Sequence, residues 1–175
     1  SYLWSNGAQT QTITVTTSGS YSVTVTNGSG CSTTSSAQSV TVNPLPTVAA
    51  ITGSPDVCVG STTTLASSTT GGVWSTSDAT VADVIASGVV TGVSTGSATI
   101  TYTVTDGNGC TNSTSASVTV NATPTATVTA SGATTFCAGG TVDLTANAGT
   151  SYLWSNGAQT QTITVTTSGS YSVTV

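Results

Sequence analysis

The 175 residues include no lysine, no arginine, no histidine and no methionine, and five acidic side chains set a formal charge of −5. Each absence closes a class of function. Without lysine or arginine nothing neutralises phosphates, so nucleic acid, anionic membrane surfaces and heparin-like polymers are excluded as partners. Without histidine or lysine a serine or cysteine nucleophile has no ordinary base beside it, and the chain reads as a non-enzyme with no cofactor and no metal site. No apolar run approaches the length of a membrane-spanning helix. Phe136 is the only phenylalanine, which makes it a marked position.

What is present is hydroxyl. About two residues in five are serine or threonine, a bias that alone would suit a disordered stalk. The pattern argues otherwise: Thr12-Ile13-Thr14-Val15-Thr16, Tyr21-Ser22-Val23-Thr24-Val25 and Thr99-Ile100-Thr101-Tyr102-Thr103-Val104 alternate with period two, as half-buried strands do. Threonine on the wet face is itself β-branched and favours extended backbone. No stretch keeps a helical period, and the fold class is all-β.

Ser1–Val25 recurs without change as Ser151–Val175, which fixes a period of 150 residues. Self-similarity at a long period marks an array of structural units. Both copies begin inside a strand set, so the chain reads as a window on a longer periodic protein. Residues 1–43 are expected to be the C-terminal part of one domain, with strands at Tyr2–Ser5, Thr12–Thr16, Tyr21–Thr26 and Gln38–Val42, closed by the stiff Pro44-Leu45-Pro46. Residues 44–121 form a complete domain, with strands expected at Thr47–Ile51, Thr62–Ala66, Gly72–Thr76, Val81–Ile85, Val89–Val93, Ser97–Thr105 and Ala116–Val120. Residues 122–175 are the N-terminal part of a domain of the first type, opening with Thr125–Ser131 and Thr141–Ala146. Short strands separated by Gly, Ser and Asn turns imply β-sandwiches.

The two domain types parallel one another. Cys58-Val59-Gly60-Ser61-Thr62 matches Cys137-Ala138-Gly139-Gly140-Thr141, Leu65 matches Leu144, and Trp74 matches Trp154 and its duplicate Trp4. Tyr102-Thr103-Val104 matches Tyr21-Ser22-Val23, and Asp106-Gly107-Asn108-Gly109-Cys110 matches Asn27-Gly28-Ser29-Gly30-Cys31. Gly139-x-x-Val142-x-Leu144, Trp154, Ile163-x-Val165 and Gly169-x-Tyr171-x-Val173 resemble strands B, C, E and F of an immunoglobulin-like domain. The central domain, with Trp74-Ser75, Gly88-Val89-Val90-Thr91-Gly92 and Gly96-Ser97-Ala98-Thr99-Ile100, is similar to group 2 bacterial Ig-like domains. The other type resembles PKD-like and Ig-like repeats of large secreted bacterial surface proteins.

The resemblance implies tandem Ig-like sandwiches placed end to end, in an extracellular fibre or adhesin stalk, secreted or on a cell surface. Its partners are neighbouring repeats and other copies of the fibre. The alternative is a glycan- or protein-binding adhesion module. Trp4, Trp74, Trp154, Tyr21, Tyr102, Tyr171, Leu65 and Leu144 are the expected core, and Leu45 and Phe136 the expected inter-domain contacts. Cys31, Cys58, Cys110 and Cys137 read as disulfide cysteines of an exported protein. In the Ig-like order the turn before B and the turn after F lie at opposite poles. The resemblance therefore implies bonds across joints, Cys58 to the following repeat's Cys31 and Cys137 to the following repeat's Cys110. The competing arrangement joins Cys58 to Cys110 within one domain. Asp56, Asp78, Asp83, Asp106 and Asp143 read as turn formers, and sequons at Asn27, Asn112 and Asn121 are compatible with glycosylation.

Overall fold

Alternating apolar and hydroxyl side chains become strands throughout the computed structural model, which describes residues 1–175 and contains no helix. The first part supplies β1 (Tyr2–Trp4), β2 (Gly19–Tyr21), β3 (Val23–Thr26), β4 (Ser32–Thr34) and β5 (Gln38–Val40). The middle supplies β6 (Asp56–Cys58), β7 (Thr62–Thr64), β8 (Val73–Thr76), β9 (Ala82–Val84), β10 (Val89–Gly92), β11 (Gly96–Thr105) and β12 (Thr111–Asn121). The last part supplies β13 (Val128–Ala130), β14 (Val142–Ala146), β15 (Leu153–Trp154), β16 (Thr162–Val165) and β17 (Val173–Thr174).

The middle strands build two sheets, β7-β10-β9 and β6-β12-β11-β8. Along β11 the inward side chains Ala98, Ile100, Tyr102 and Val104 are buried, while Thr99, Thr101 and Thr103 face out. Val57, Leu65, Ala82, Val90, Ala98, Ile100, Val118 and Val120, drawn from both sheets, form one core. Each fully buried aliphatic side chain contributes about 1.5–3 kcal/mol, so truncating the wholly enclosed Ile100 to alanine should cost about 2–5 kcal/mol.

The opening strand of this sandwich departs from expectation. Thr47–Ile51 forms no strand. Instead Thr52 bridges antiparallel to Ala66, and the chain then crosses to the other sheet, where β6 pairs in parallel with β12. Gly53 makes the crossing: its φ is 127°, and a Cβ there would lie 2.4 Å from the Thr64 carbonyl oxygen. The closing strand begins earlier than Ala116, because the β11–β12 hairpin stays in register from Thr105↔Thr111 to Gly96↔Val120.

The parallel drawn between Tyr102 and Tyr21 is corrected by register. Opposite Trp74 on β8 stands Tyr102, whereas opposite Trp4 stands Val23 and opposite Trp154 stands Val173. Tyr102 thus occupies the place of Val23, two residues further along the strand than Tyr21. The partners differ accordingly. The Tyr102 hydroxyl accepts the Gly72 N–H at 2.8 Å and donates to the Thr69 carbonyl at 2.9 Å, tying the loop before β8 to β11. The Tyr21 and Tyr171 hydroxyls donate back four residues, to the Thr17 and Thr167 carbonyls at 3.0 Å, a tyrosine corner.

The duplicated 25 residues occur in two settings. Some features are common to both: the Trp4 indole N–H donates to the Thr10 carbonyl and that of Trp154 to Thr160, each at 2.8 Å. The turns Trp4–Ala8 and Trp154–Ala158 close with matching backbone bonds. Others differ. Thr162–Val165 is a strand because β14 lies beside it, while Thr12–Thr16, expected to be a strand, is irregular and has no such neighbour. Conversely, β3 pairs with β4 and β2 with β5. The first part carries sheets β1-β3-β4 and β2-β5, and the last part carries β13-β14-β16 and β15-β17.

Of the expected core residues, Leu65, Tyr102 and Trp154 are buried. Trp74 is half-buried against the central core, and Leu144 and Tyr171 pack in the same way on the cluster around Trp154. Trp4 and Tyr21 are also half-buried. Trp4 is less enclosed than the identical Trp154 because no counterpart of β13 and β14 covers it.

Candidate functional site

Every cysteine sits at a turn or a strand end: Cys31 and Cys110 immediately precede β4 and β12, Cys58 ends β6, and Cys137 lies in the turn before β14. β12 runs eleven residues from one pole of the central domain to the other, about 35 Å at ~3.4 Å per residue. Cys110 immediately precedes it, and Cys58 is paired in parallel register with Asn121 at its far end. Bridged Cα atoms approach within about 7 Å, so a Cys58–Cys110 bond inside the central domain is excluded. All four thiols are free in this chain.

The turns carrying the cysteines are built alike in both domain types. Asp106 Oδ1 accepts the N–H groups of Asn108 and Cys110, each at 2.9 Å, and Asn27 Oδ1 accepts those of Ser29 and Cys31 at 3.0 and 2.9 Å. Gly109 and Gly30 take the same left-handed conformation, with φ 81°. At the other pole the Ser61 N–H donates to the Cys58 carbonyl and the Gly140 N–H to the Cys137 carbonyl, both at 3.0 Å. Oδ1 of Asp106 is therefore committed to its own turn, as expected of a turn former. Asp78 Oδ1 accepts the Thr80 N–H and hydroxyl at 2.9 and 2.6 Å, and Asp143 Oδ1 accepts the Thr164 hydroxyl at 2.7 Å. The Thr80 hydroxyl, then its N–H, hold the Asp78 carboxyl below the ordinary aspartate value.

Each pole holds a linker. Where the chain comes into the central domain, the Asn112 side-chain N–H donates to the Pro46 carbonyl at 2.9 Å, and Cys110 Sγ lies 4.0 Å from the Asn43 carbonyl oxygen. Where the chain leaves, the Val59 N–H donates to the Asn121 carbonyl at 3.0 Å, and the Thr123 hydroxyl to the Val59 carbonyl at 3.1 Å. The two linkers share a pattern that marks both joints in the sequence: Val40-Thr41-Val42-Asn43-x-x-Pro46-Thr47 and Val118-Thr119-Val120-Asn121-x-x-Pro124-Thr125.

Leu45 and Phe136 do not make the contacts expected of them within this chain. Leu45 is 64% exposed. The Phe136 ring folds over its own turn, 3.1 Å from where a Cβ on Gly140 would stand, and lines a groove of about 540 Å³ with Val128, Val142, Leu144 and Tyr171. A second cleft of about 370 Å³ opens beside Cys58, with Asp56, Ser61, Thr63 and Asn121 in its wall.

The crossing of the opening strand between sheets, the two-sheet core and the tryptophan on β8 together describe an Ig-like sandwich. Residues 36–115 match the family model of the bacterial Ig-like domain (group 2). The match takes in β5 of the first part and nearly all of the central Ig-like sandwich, stopping within β12. Domains of this family are typical of bacterial surface proteins, where they are structural or adhesion modules. No curated protein matches the chain.

Proposed function

We propose that this chain is a repeat segment of an extracellular bacterial fibre or stalk, in which two types of Ig-like domain alternate end to end with a period of 150 residues. The observation that carries the reading is the path of the chain through the central domain. It comes in beside Asn112, at the start of β12, and departs beside Cys58, at its end. A domain whose two connections lie at opposite poles extends an array rather than folding it back.

In this reading residues 122–175 and 1–43 are complementary parts of the second domain type. Joined across the period, β13-β14-β16 would form one sheet, β17 would acquire the partner that β4 supplies to β3, and Gly169–Tyr171 the partner that β5 supplies to β2 in the first part. The role is mechanical: length, stiffness and a surface with no lysine or arginine for trypsin-like proteases to cut at. The aromatic residues a sugar platform would use are committed elsewhere, with Trp154 buried and Trp74 packed against Tyr102, the rings tilted by 45° with centroids 4.6 Å apart. That favours the stalk over the adhesion module.

Electron microscopy of the fibre tests the proposal. Two sandwiches of about 35 Å each should give an axial repeat of roughly 70–80 Å. A markedly shorter repeat, from domains packed side by side, would overturn it.

A further inference from the structure

We propose that every joint of the array is closed by a disulfide between successive domains, Cys58 to the Cys31 of the next period and Cys137 to the next Cys110 in the array. The inference rests on the end-to-end reading above and adds the covalent connectivity. It is carried by the linker asparagines. Asn43 and Asn121 hold the same place in the shared linker pattern. At Asn121 the cysteine of the preceding domain, Cys58, stands directly opposite in parallel register, one strand spacing or about 4.8 Å away. At Asn43 the cysteine of the following domain, Cys110, places its sulfur 4.0 Å from the carbonyl oxygen.

Superposing the two joints brings both cysteines to one asparagine. At Asn43 the preceding domain contributes its Cys137, whose turn closes with the same i to i+3 backbone bond as that of Cys58. At Asn121 the following domain contributes its Cys31, whose turn matches that of Cys110. The cleft beside Cys58, walled by Asp56, Ser61 and Asn121, is the space into which the next domain's Asn27–Cys31 turn would settle. One cysteine a strand spacing from the asparagine and another whose sulfur lies 4.0 Å from that asparagine's carbonyl oxygen bring the pair within reach of the 4.4–6.8 Å Cα span of a disulfide. None of these pairs lies within the 175 residues, which accords with four free thiols.

Each bond joins two thiols with loss of two protons and two electrons. The electrons pass to a disulfide-bearing oxidant of the export compartment. One thiolate attacks its disulfide to give a mixed disulfide, and attack by the second closes the protein bond and releases the oxidant as a dithiol.

The test is a chain of two successive periods, residues 1–150 followed by 1–175, folded with an oxidised dithiol donor. The monomer is then isolated and cleaved by chymotrypsin and an Asp-directed protease without reduction. Mass spectrometry should find Cys58–Cys31 and Cys137–Cys110 peptides, and thiol titration should find half of the cysteines free. Cys31→Ser in the second period alone should abolish the Cys58 link, and the same change in the first period alone should leave it. Cys58–Cys110 or Cys31–Cys137 peptides would overturn the connectivity. If every thiol stays free while small-angle scattering still shows a rod, the staples fail and the stalk reading stands. A compact particle overturns both.

Discussion

Replacing Tyr102 with phenylalanine removes a single oxygen and leaves the ring, so it isolates one polar interaction at the join between loop and sheet. That oxygen accepts the Gly72 N–H and donates to the Thr69 carbonyl, in a part-buried setting beneath Trp74. The ring's packing survives the substitution. What is lost is the partner of a buried N–H, and leaving such a donor unsatisfied costs about 1–3 kcal/mol. Taking ~2 kcal/mol, a domain of this size should melt roughly 8–16 °C lower. Tyr21→Phe is the control. Its hydroxyl bonds an exposed carbonyl that water can serve instead, so the cost should stay near the lower limit for a hydrogen bond, about 0.5 kcal/mol.

The measurement is thermal unfolding followed by fluorescence of a sole tryptophan, Trp74 for Tyr102→Phe and Trp4 for the Tyr21→Phe control, with the other two tryptophans replaced by phenylalanine in each case, so that only the part carrying the substitution reports. If Tyr102→Phe shifts the transition by less than about 3 °C, roughly what the control's lower-limit hydrogen bond would shift a domain of this size, the hydroxyl does not tie the loop to β11 and the reasoning fails.

Asp106→Asn should be nearly neutral, because Asn27 caps the sister turn with the same Oδ1 geometry. Asp106→Ala should lower stability by about 1 kcal/mol, and equal losses from the two in urea titrations would contradict the turn account. Gly88→Ala should cost more than 1–2 kcal/mol, since its φ is 82° and a Cβ would stand 2.3 Å from the Leu65 carbonyl oxygen. Gly107→Ala, with no atom near the added carbon, is its neutral comparison in the same assay. Asp78 has a depressed pKa in the folded chain, so its contribution is fully present above the unfolded value and is lost as pH falls through the folded one. NMR titration should place Asp78 below an ordinary aspartate, and Thr80→Ala should raise it.

Period-two alternation made most of the central strands legible in the sequence, because β-branched and aromatic residues there face one core. What was not legible had specific causes. Asp56–Cys58 is three residues long and lies between Ser54-Pro55 and Val59-Gly60, a setting that reads as a turn. It is a strand only because β12 offers a free edge. Tyr102 was misplaced by two residues because Tyr-x-Val occurs in both strands, and only the cross-strand partner of the tryptophan reveals which tyrosine fills which place. The opposite poles of the cysteines followed from the resemblance to the Ig-like strand order. The linker asparagines that bring those poles together needed the Cys58↔Asn121 register and the Cys110–Asn43 approach to gain meaning. Phe136 is marked in the sequence by its rarity alone, and within this chain its ring lines the groove with Val128, Val142, Leu144 and Tyr171.

The duplicated segment separates what a sequence encodes locally from what its neighbours impose. In both copies Asn6 and Asn156 cap the turn after the tryptophan, and Tyr21 and Tyr171 close the same corner. These features span at most six residues and need no partner strand. The Thr-Ile-Thr-Val run becomes a strand only beside Val142–Ala146, since a lone strand leaves its backbone donors and acceptors to water and gains no paired face. Val173 likewise meets Trp154 in either setting, as Val23 meets Trp4, but the tryptophan is fully enclosed only where a second sheet covers it. The unit of stability in such an array is therefore the complete set of partner strands rather than the sequence repeat. A repeat boundary drawn by sequence identity can fall inside a domain, and on the stalk reading proposed above the joints that would bear load lie instead at Asn43 and Asn121.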